Sequence, residues 1–241
     1  MKVAVVGKGG SGKTTTSAVL ARTLARRGVR TLALDCDTNP NLGISLGLGE
    51  QTTGDLVDLR ASLSAGDDGH ASSADDLVER YGVEGPDGVR LAVVFAIDHP
   101  EPGCPCCGVS PEQMLRELDG RGGAVVADFE AGLHTVMRLD GPVDVVVVVV
   151  EPTAKSLEVG SRAADVVREK GLGRVVVSAN RVNDEDDLAR VRAAFAGQQV
   201  WVVPDEPAIV DAERRGLAPL DTAPDAPGVR ALVSLVDQLL V

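Results

Sequence analysis

The sequence predicts an α/β fold in three layers, a mostly parallel central sheet of about seven or eight strands with helices on both faces. Three observations carry this expectation. Short apolar runs alternate with segments of helical periodicity along the 241 residues. Aromatic residues are only 2% of the chain, so Leu, Val and Ala must supply the core. Val145–Val150 is a run of valines, which suits a strand buried on both faces. The length fits one domain over 1–241.

Val3–Val6 is the first strand, ending at Gly7, and residues 14–27 follow as a helix stopped by Gly28. Thr31–Leu34 is a second strand, ending at Asp35-Cys36-Asp37. This β-loop-α-β unit starts the sheet parallel. Residues 49–88 give no clear pattern, and Gly66–Ser73 is a polar, turn-rich insert. Further strands are expected at Val89–Ile97, Ala124–Ala127, Val143–Val150, Val175–Ala179 and Val200–Val203. Helices are expected at Glu112–Leu118, 154–170, 185–196, Pro207–Arg215 and Val229–Leu240. No repeat or dividing linker is visible.

The formal net charge is −12. An acidic surface repels phosphate backbones and anionic headgroups, so neither nucleic acid nor a membrane is the expected partner. Arg26-Arg27 is too short to make a basic patch. The apolar run Val145–Val150 is too short to span a bilayer. Met1–Gly7 runs directly into a strand and loop with no secretory signal, so a cytoplasmic protein is expected.

Gly7-Lys8-Gly9-Gly10-Ser11-Gly12-Lys13-Thr14 fits G-x-x-x-x-G-K-[ST] between a strand and a helix. Backbone N–H groups of such a loop converge on phosphate oxygens at the helix N-terminus, where a Cβ at several positions would block the approach. Lys13 then reaches the β- and γ-phosphates, the Thr14 hydroxyl ligates Mg²⁺, and Thr15 completes the cradle. The expected ligands are ATP or ADP with Mg²⁺.

The lysine after the first glycine, Lys8, narrows the family. Lys8–Thr15 resembles the deviant Walker A motif of dimeric ATPases. That group includes the nitrogenase iron protein, the partition and septum-positioning ATPases, the arsenite-pump ATPase and the nickel-insertion ATPase that matures carbon monoxide dehydrogenase. The resemblance implies a P-loop fold and a homodimer in which Lys8 reaches the partner's phosphates as a cation supplied in trans. It assigns Asp37 of Asp35–Leu42 to the attacking water and the magnesium shell, with Asp35 supporting the loop or an outer-shell magnesium water. This chain has Thr38-Asn39 before Pro40, where the family more often has Pro directly after the second Asp. Asp128-Phe129-Glu130-Ala131-Gly132 is similar to the second switch, D-x-x-x-G, with Asp128 holding Mg²⁺ through water. Lys8, Lys13, Asp37 and Asp128 are thus the candidate catalytic set.

At the base end, Asn180-Arg181-Val182-Asn183 stands where GTPases carry N-K-x-D. Asn183 replaces the aspartate that pairs with guanine, which favours adenine. Asn180 and Arg181 are expected at the base, and Pro204-Asp205-Glu206 should complete the pocket.

The chain has four cysteines, and Cys104, Cys106 and Cys107 crowd into four positions. In a reducing compartment such a cluster reads as metal-binding or redox-active. The pair Cys104-x-Cys106 offers two thiolates, and two chains related by a dyad offer four. That is a tetrahedral S₄ site suited to Zn²⁺ or Ni²⁺, with a shared [4Fe–4S] cluster as the alternative. A C-x-C pair followed by a helix and a D-x-E-A-G switch resembles the nickel-insertion ATPases, as does Val149–Glu158. The resemblance implies an ATP-driven metallochaperone or metallocenter-assembly ATPase with a client metalloenzyme. The alternatives are an iron–sulfur reductase like the nitrogenase iron protein and a positioning or partition ATPase. The reductase's ligand pattern is incomplete here, since Asp128–Arg138 contains no cysteine. Cys107 and Cys36 receive no role.

Overall fold

The computed structural model describes residues 1–62, 71–95, 109–118 and 122–240, with the side chains of 61 and 62 left aside. In chain order the elements are β1 (Lys2–Gly7), α1 (Lys13–Arg26), β2 (Thr31–Cys36), α2 (Leu42–Leu46), α3 (Gly49–Ser62), α4 (Ala74–Tyr81), β3 (Val83–Glu84) and β4 (Arg90–Val93). There follow α5 (Pro111–Glu117), β5 (Ala124–Phe129), α6 (Leu133–Arg138), β6 (Val145–Val150), α7 (Ala154–Lys170), β7 (Arg174–Val182) and α8 (Glu185–Ala194). The chain closes with β8 (Gln199–Pro204), α9 (Pro207–Arg214), α10 (Pro219–Thr222) and α11 (Pro227–Leu239).

Eight strands form one sheet in the order β3-β4-β2-β5-β1-β6-β7-β8. All pairs are parallel except β3 with β4, a two-residue antiparallel edge. Alternation along the central strands builds two cores. Val3 and Val5 of β1, with Val145, Val147 and Val149 of β6, pack under Leu20 and Leu24 of α1 and Leu235 and Leu239 of α11. Ala4, Val6, Val146, Val148 and Val150 face the other way, toward Val136 of α6 and Ala163, Ala164 and Val167 of α7. Each valine of β6 is at most 2% exposed, as the pure-valine run requires.

The structure refines several expectations. Asp35 and Cys36 lie inside β2, and Asn180 lies inside β7, where a register irregularity falls between Ala179 and Val182. The strand expected over Val89–Ile97 is shorter: β4 ends at Val93, and Ile97 lies outside the described residues. The segment without a clear pattern holds α3, α4 and β3. Cys104, Cys106 and Cys107, with Gly66–His70 of the polar insert, also lie outside the described residues.

Candidate functional site

The carboxyl ends of β1, β2, β5, β6 and β7 open onto one crevice, where an open parallel sheet binds ligands. At its centre β1 hands over to α1 through residues 8–12. Gly7 has φ +155°, and a Cβ there would lie 2.3 Å from the Val149 carbonyl oxygen of β6. Gly12 has φ +93° and caps α1 with no side-chain hydrogen bond, so the helix's first N–H groups face the loop's concavity. Lys13 is 7% exposed and its Nζ lies 3.4 Å from the Lys8 carbonyl. Burial lowers the affinity of this ammonium for its proton, while Asp128, Asp37 and Glu130 oppose that effect. Ser11 Oγ is buried without a hydrogen-bond partner among the described residues. A buried cation and an unpaired hydroxyl under free helix N–H groups fit a polyphosphate. Lys8 is partly exposed, and its Nζ donates to the neighbouring Gly9 carbonyl at 3.2 Å.

The two acidic segments flank this loop because β2 and β5 are neighbours in which Asp35 and Asp128 are register partners. Asp35 is fully buried and accepts hydrogen bonds from Leu42 N–H at 2.7 Å and Asp37 N–H at 3.3 Å. It therefore ties the segment after β2 to the start of α2. Burial, with the nearby Asp128 charge, pushes its pKa up to about 7. Asp128 accepts from Ser17 Oγ at 3.0 Å, and the Thr14 hydroxyl lies near enough to favour its charged form. Burial pushes it up to about 6, against the effect of those hydroxyls and Lys13. A desolvated carboxylate beside a threonine hydroxyl is a hard-oxygen set that a Mg²⁺ ion would complete. Asp37 is only partly buried and accepts from Asn39 N–H at 2.9 Å, closing an Asx turn, and its charge favours the protonated Lys13. The second segment is pinned to the phosphate loop by Gly132 N–H donating to the Gly7 carbonyl at 3.1 Å.

The residues expected at the base lie across α1. Gly12, Thr15, Asn180, Arg181, Asp205, Glu206, Ile209, Val210, Glu213 and Leu232 line a small crevice of about 20 Å³. Asn180 does not project free into it: its Nδ2 donates to the Ser11 carbonyl at 2.8 Å, and its Oδ1 accepts from Arg181 N–H at 3.1 Å. Arg181 has φ +56°, a left-handed conformation unusual for a side-chain-bearing residue, and its guanidinium pairs with Glu151 at 2.5 Å. Thr15 Oγ1 donates to Glu213 of α9 at 2.6 Å. Glu206 caps α9 through Ala208 N–H at 3.2 Å, and Asn183 is bonded to Asp187 at the start of α8. Ser17 and Glu213 were not singled out by sequence, because their partners Asp128 and Thr15 lie 111 and 198 residues away.

Beyond the crevice, α5 begins four residues after Cys107 and α6 follows the second acidic segment. They are joined by an ion pair between Glu112, 6% exposed, and Arg138 at 3.0 Å. Cys36 is buried, and burial raises its thiol pKa well above the ordinary value, so it stays a thiol. Among the described residues no cluster of three His, Cys, Asp or Glu side chains forms a metal site, and no helix is long and apolar enough to cross a membrane.

A glycine-rich loop between strand and helix, a buried lysine and acidic strand ends at the carboxyl edge of a parallel sheet define a P-loop nucleotide hydrolase. Comparison with known proteins agrees. Residues 2–220 match the CobQ/CobB/MinD/ParA nucleotide binding domain, and the chain belongs to that family. It is 31% identical over 198 residues to an uncharacterized ATP-binding protein of Methanocaldococcus jannaschii, covering 77% of each chain. It is 28% identical over 244 residues to the carbon monoxide dehydrogenase accessory protein CooC of Rhodospirillum rubrum, covering 93% of this chain and 91% of that one. The cell division ATPase MinD of Pyrococcus furiosus superposes with a TM-score of 0.73 at 22% identity, covering 99% of this chain and 98% of that chain, a likeness of fold. The chain is an ATPase of the MinD/ParA/CooC class.

Proposed function

We propose that this ATPase assembles or loads a metallocenter, binding ATP and Mg²⁺ as a homodimer and passing Zn²⁺, Ni²⁺ or another soft metal to a client metalloenzyme. The observation that carries the reading is the Glu112–Arg138 ion pair. It fastens the helix that begins just after the cysteine cluster to the helix that follows Asp128–Gly132. A change at the γ-phosphate end would reach α5 through this pair, and α5 begins four residues after Cys107 in the chain. The similarity to CooC over most of both chains supports the same reading.

The division of labour follows from the site. Gly7–Thr15 wrap the phosphates, with Lys13 as their buried counter-charge. Thr14 and Asp128 would hold Mg²⁺, which supplies charge neutralisation at the phosphates. Asp37 orients the attacking water, and Lys8 serves the partner's nucleotide in trans. Asn180, Arg181, Pro204, Asp205 and Glu206 shape the adenine end. Cys104 and Cys106 of two chains supply four thiolates to one metal.

Metal analysis of anaerobically purified protein tests the reading. Mass spectrometry should find Zn or Ni at one per two chains, with no iron–sulfur absorption in the visible spectrum. Iron with sulfide and a brown colour would instead favour an ATP-driven iron–sulfur reductase. Absence of any thiolate-bound metal in wild type, with no change on Cys104→Ser, would remove the metallochaperone reading.

A further inference from the structure

Glu130 is the second residue after Asp128, and its side chain is exposed. The folding of its own turn does not use that side chain: the backbone carbonyl accepts from Thr135 Oγ1 at 3.3 Å, and Gly132 N–H anchors the turn to Gly7. The carboxylate is instead directed across the crevice. Thr38 Oγ1, the hydroxyl next to Asp37, donates to Glu130 Oε1 at 3.2 Å and so joins the first acidic segment to the second. The neighbouring Ala131 stands over the phosphate loop, where a Cβ on Gly9 would lie 3.7 Å from its methyl. Glu130 is also one of three carboxylates within electrostatic reach of the buried Lys13 ammonium, the others being Asp128 and Asp37. Asp128 is buried and bonded by Ser17, and Asp37 closes the Asx turn. Of the three, only Glu130 is exposed, and the single hydrogen bond from Thr38 holds it.

We propose that Glu130 discriminates ATP from ADP by acting as a placeholder for the γ-phosphate. Its carboxylate latches the two acidic segments beside the phosphate loop through Thr38 until a γ-phosphate expels it. The inference rests on the reading that Lys13 meets the γ-phosphate. Two anions competing for one partly desolvated ammonium repel each other, so ATP must displace Glu130 whereas ADP leaves its position open. Expulsion breaks the Thr38 hydrogen bond and frees the segment that carries Asp37. Rearrangement of the first segment is thereby made conditional on the third phosphate, and ADP alone does not trigger it.

Calorimetry with Mg²⁺ and either ADP or a non-hydrolysable ATP analogue tests this on the full chain. Glu130→Gln keeps the shape and removes the charge. It should tighten the ATP analogue by about fivefold while leaving ADP within about twofold. Thr38→Val, which removes only the latch, should shift the same ratio in the same direction by a smaller factor. An unchanged ratio in Glu130→Gln, or an equal shift for both nucleotides, overturns the placeholder. Lys13→Ala separates the two layers of the argument. If it binds ATP as wild type does, the phosphate-loop reading itself fails. If it loses ATP while Glu130→Gln leaves the ratio unchanged, only the placeholder fails.

Discussion

At the phosphate end of the crevice Lys13, Asp35 and Asp128 are buried with charges poorly matched to their surroundings, whereas at the base end Asn180, Arg181, Asn183 and Glu213 are already paired within the protein. The phosphate end carries desolvated groups whose protonation is shifted by burial, the condition that a metal ion and a polyphosphate relieve. The base end is a preformed mould whose parts hold one another: Asn180 braces the Ser11 carbonyl, and the Glu151 pair holds Arg181 in its left-handed turn. Ligand binding should therefore stabilise the first region by charge and the second only by contact. Mutations should follow that division.

The largest expected effect is at Lys13. Lys13→Ala removes the buried cation and should weaken ATP by about thirtyfold to several thousandfold in calorimetry, since truncating one member of a desolvated charge pair costs about 2–5 kcal/mol. Retained micromolar binding would mean that the loop's N–H groups alone hold the phosphates. Asp37→Ala comes next and splits binding from turnover. The ATP affinity should stay within a few-fold while kcat falls by about a hundredfold, the usual contribution of a group that orients or deprotonates the nucleophile. Wild-type turnover would move the catalytic role away from Asp37.

A third variant probes the cost of burial directly. The folded-state pKa values of Asp35 and Asp128, about 7 and about 6, lie above the ordinary 3.8. The folded protein then binds protons more tightly than the unfolded chain between those values. Its stability falls as pH rises through that window and stays low above it. In chelator and without nucleotide, Asp35→Asn should raise stability at pH 8 by about 2 kcal/mol, with the gain vanishing toward pH 4, where both side chains are neutral. Chemical denaturation at a series of pH values reads this out. A pH-independent difference would assign the effect to the Leu42 and Asp37 hydrogen bonds instead.

The smallest effect belongs to the base end. Asn180→Ala loses one brace on the phosphate loop and should weaken ATP by about tenfold at most, the value of a single partly buried hydrogen bond. GTP should bind much more weakly than ATP in wild type, because Asn183 is turned to Asp187 and offers no carboxylate to guanine. Equal affinities for the two nucleotides would undo the adenine assignment.

The same contrast explains what could be read from sequence. The phosphate loop is legible because backbone that must approach an oxygen cluster demands glycine at fixed spacing, and Gly7 and Gly12 are also fixed by their close packing on the Val149 carbonyl and the Asn180 amide. The valines of β6 are legible because burial on both faces permits little else. The braces are not. Asn180 meets Ser11 across 169 residues, and the buried Arg22 pairs with Asp87 and Asp221 at separations of 65 and 199. Such partnerships follow from strand order, which no local pattern encodes. Residues 49–88 stayed unreadable because α3 has only a weak apolar stripe, with Thr52, Thr53 and Gly54 breaking its periodicity, and because the β3 edge is only two residues long.

The central claim is that one dyad creates both the nucleotide sites and a shared metal site from Cys104 and Cys106 of two chains. Equilibrium sedimentation with Zn²⁺ or Ni²⁺, with a non-hydrolysable ATP analogue, and with both together tests it most directly. Each ligand alone should shift monomer toward dimer, and each should raise the other's apparent affinity, since both favour one closed state. Cys104→Ser and Cys106→Ser should abolish the metal effect and the coupling while keeping ATP binding, and Cys107→Ser should change them less. One metal bound per monomer, with no influence on the dimer equilibrium, would contradict the shared site and place the metal within a single chain.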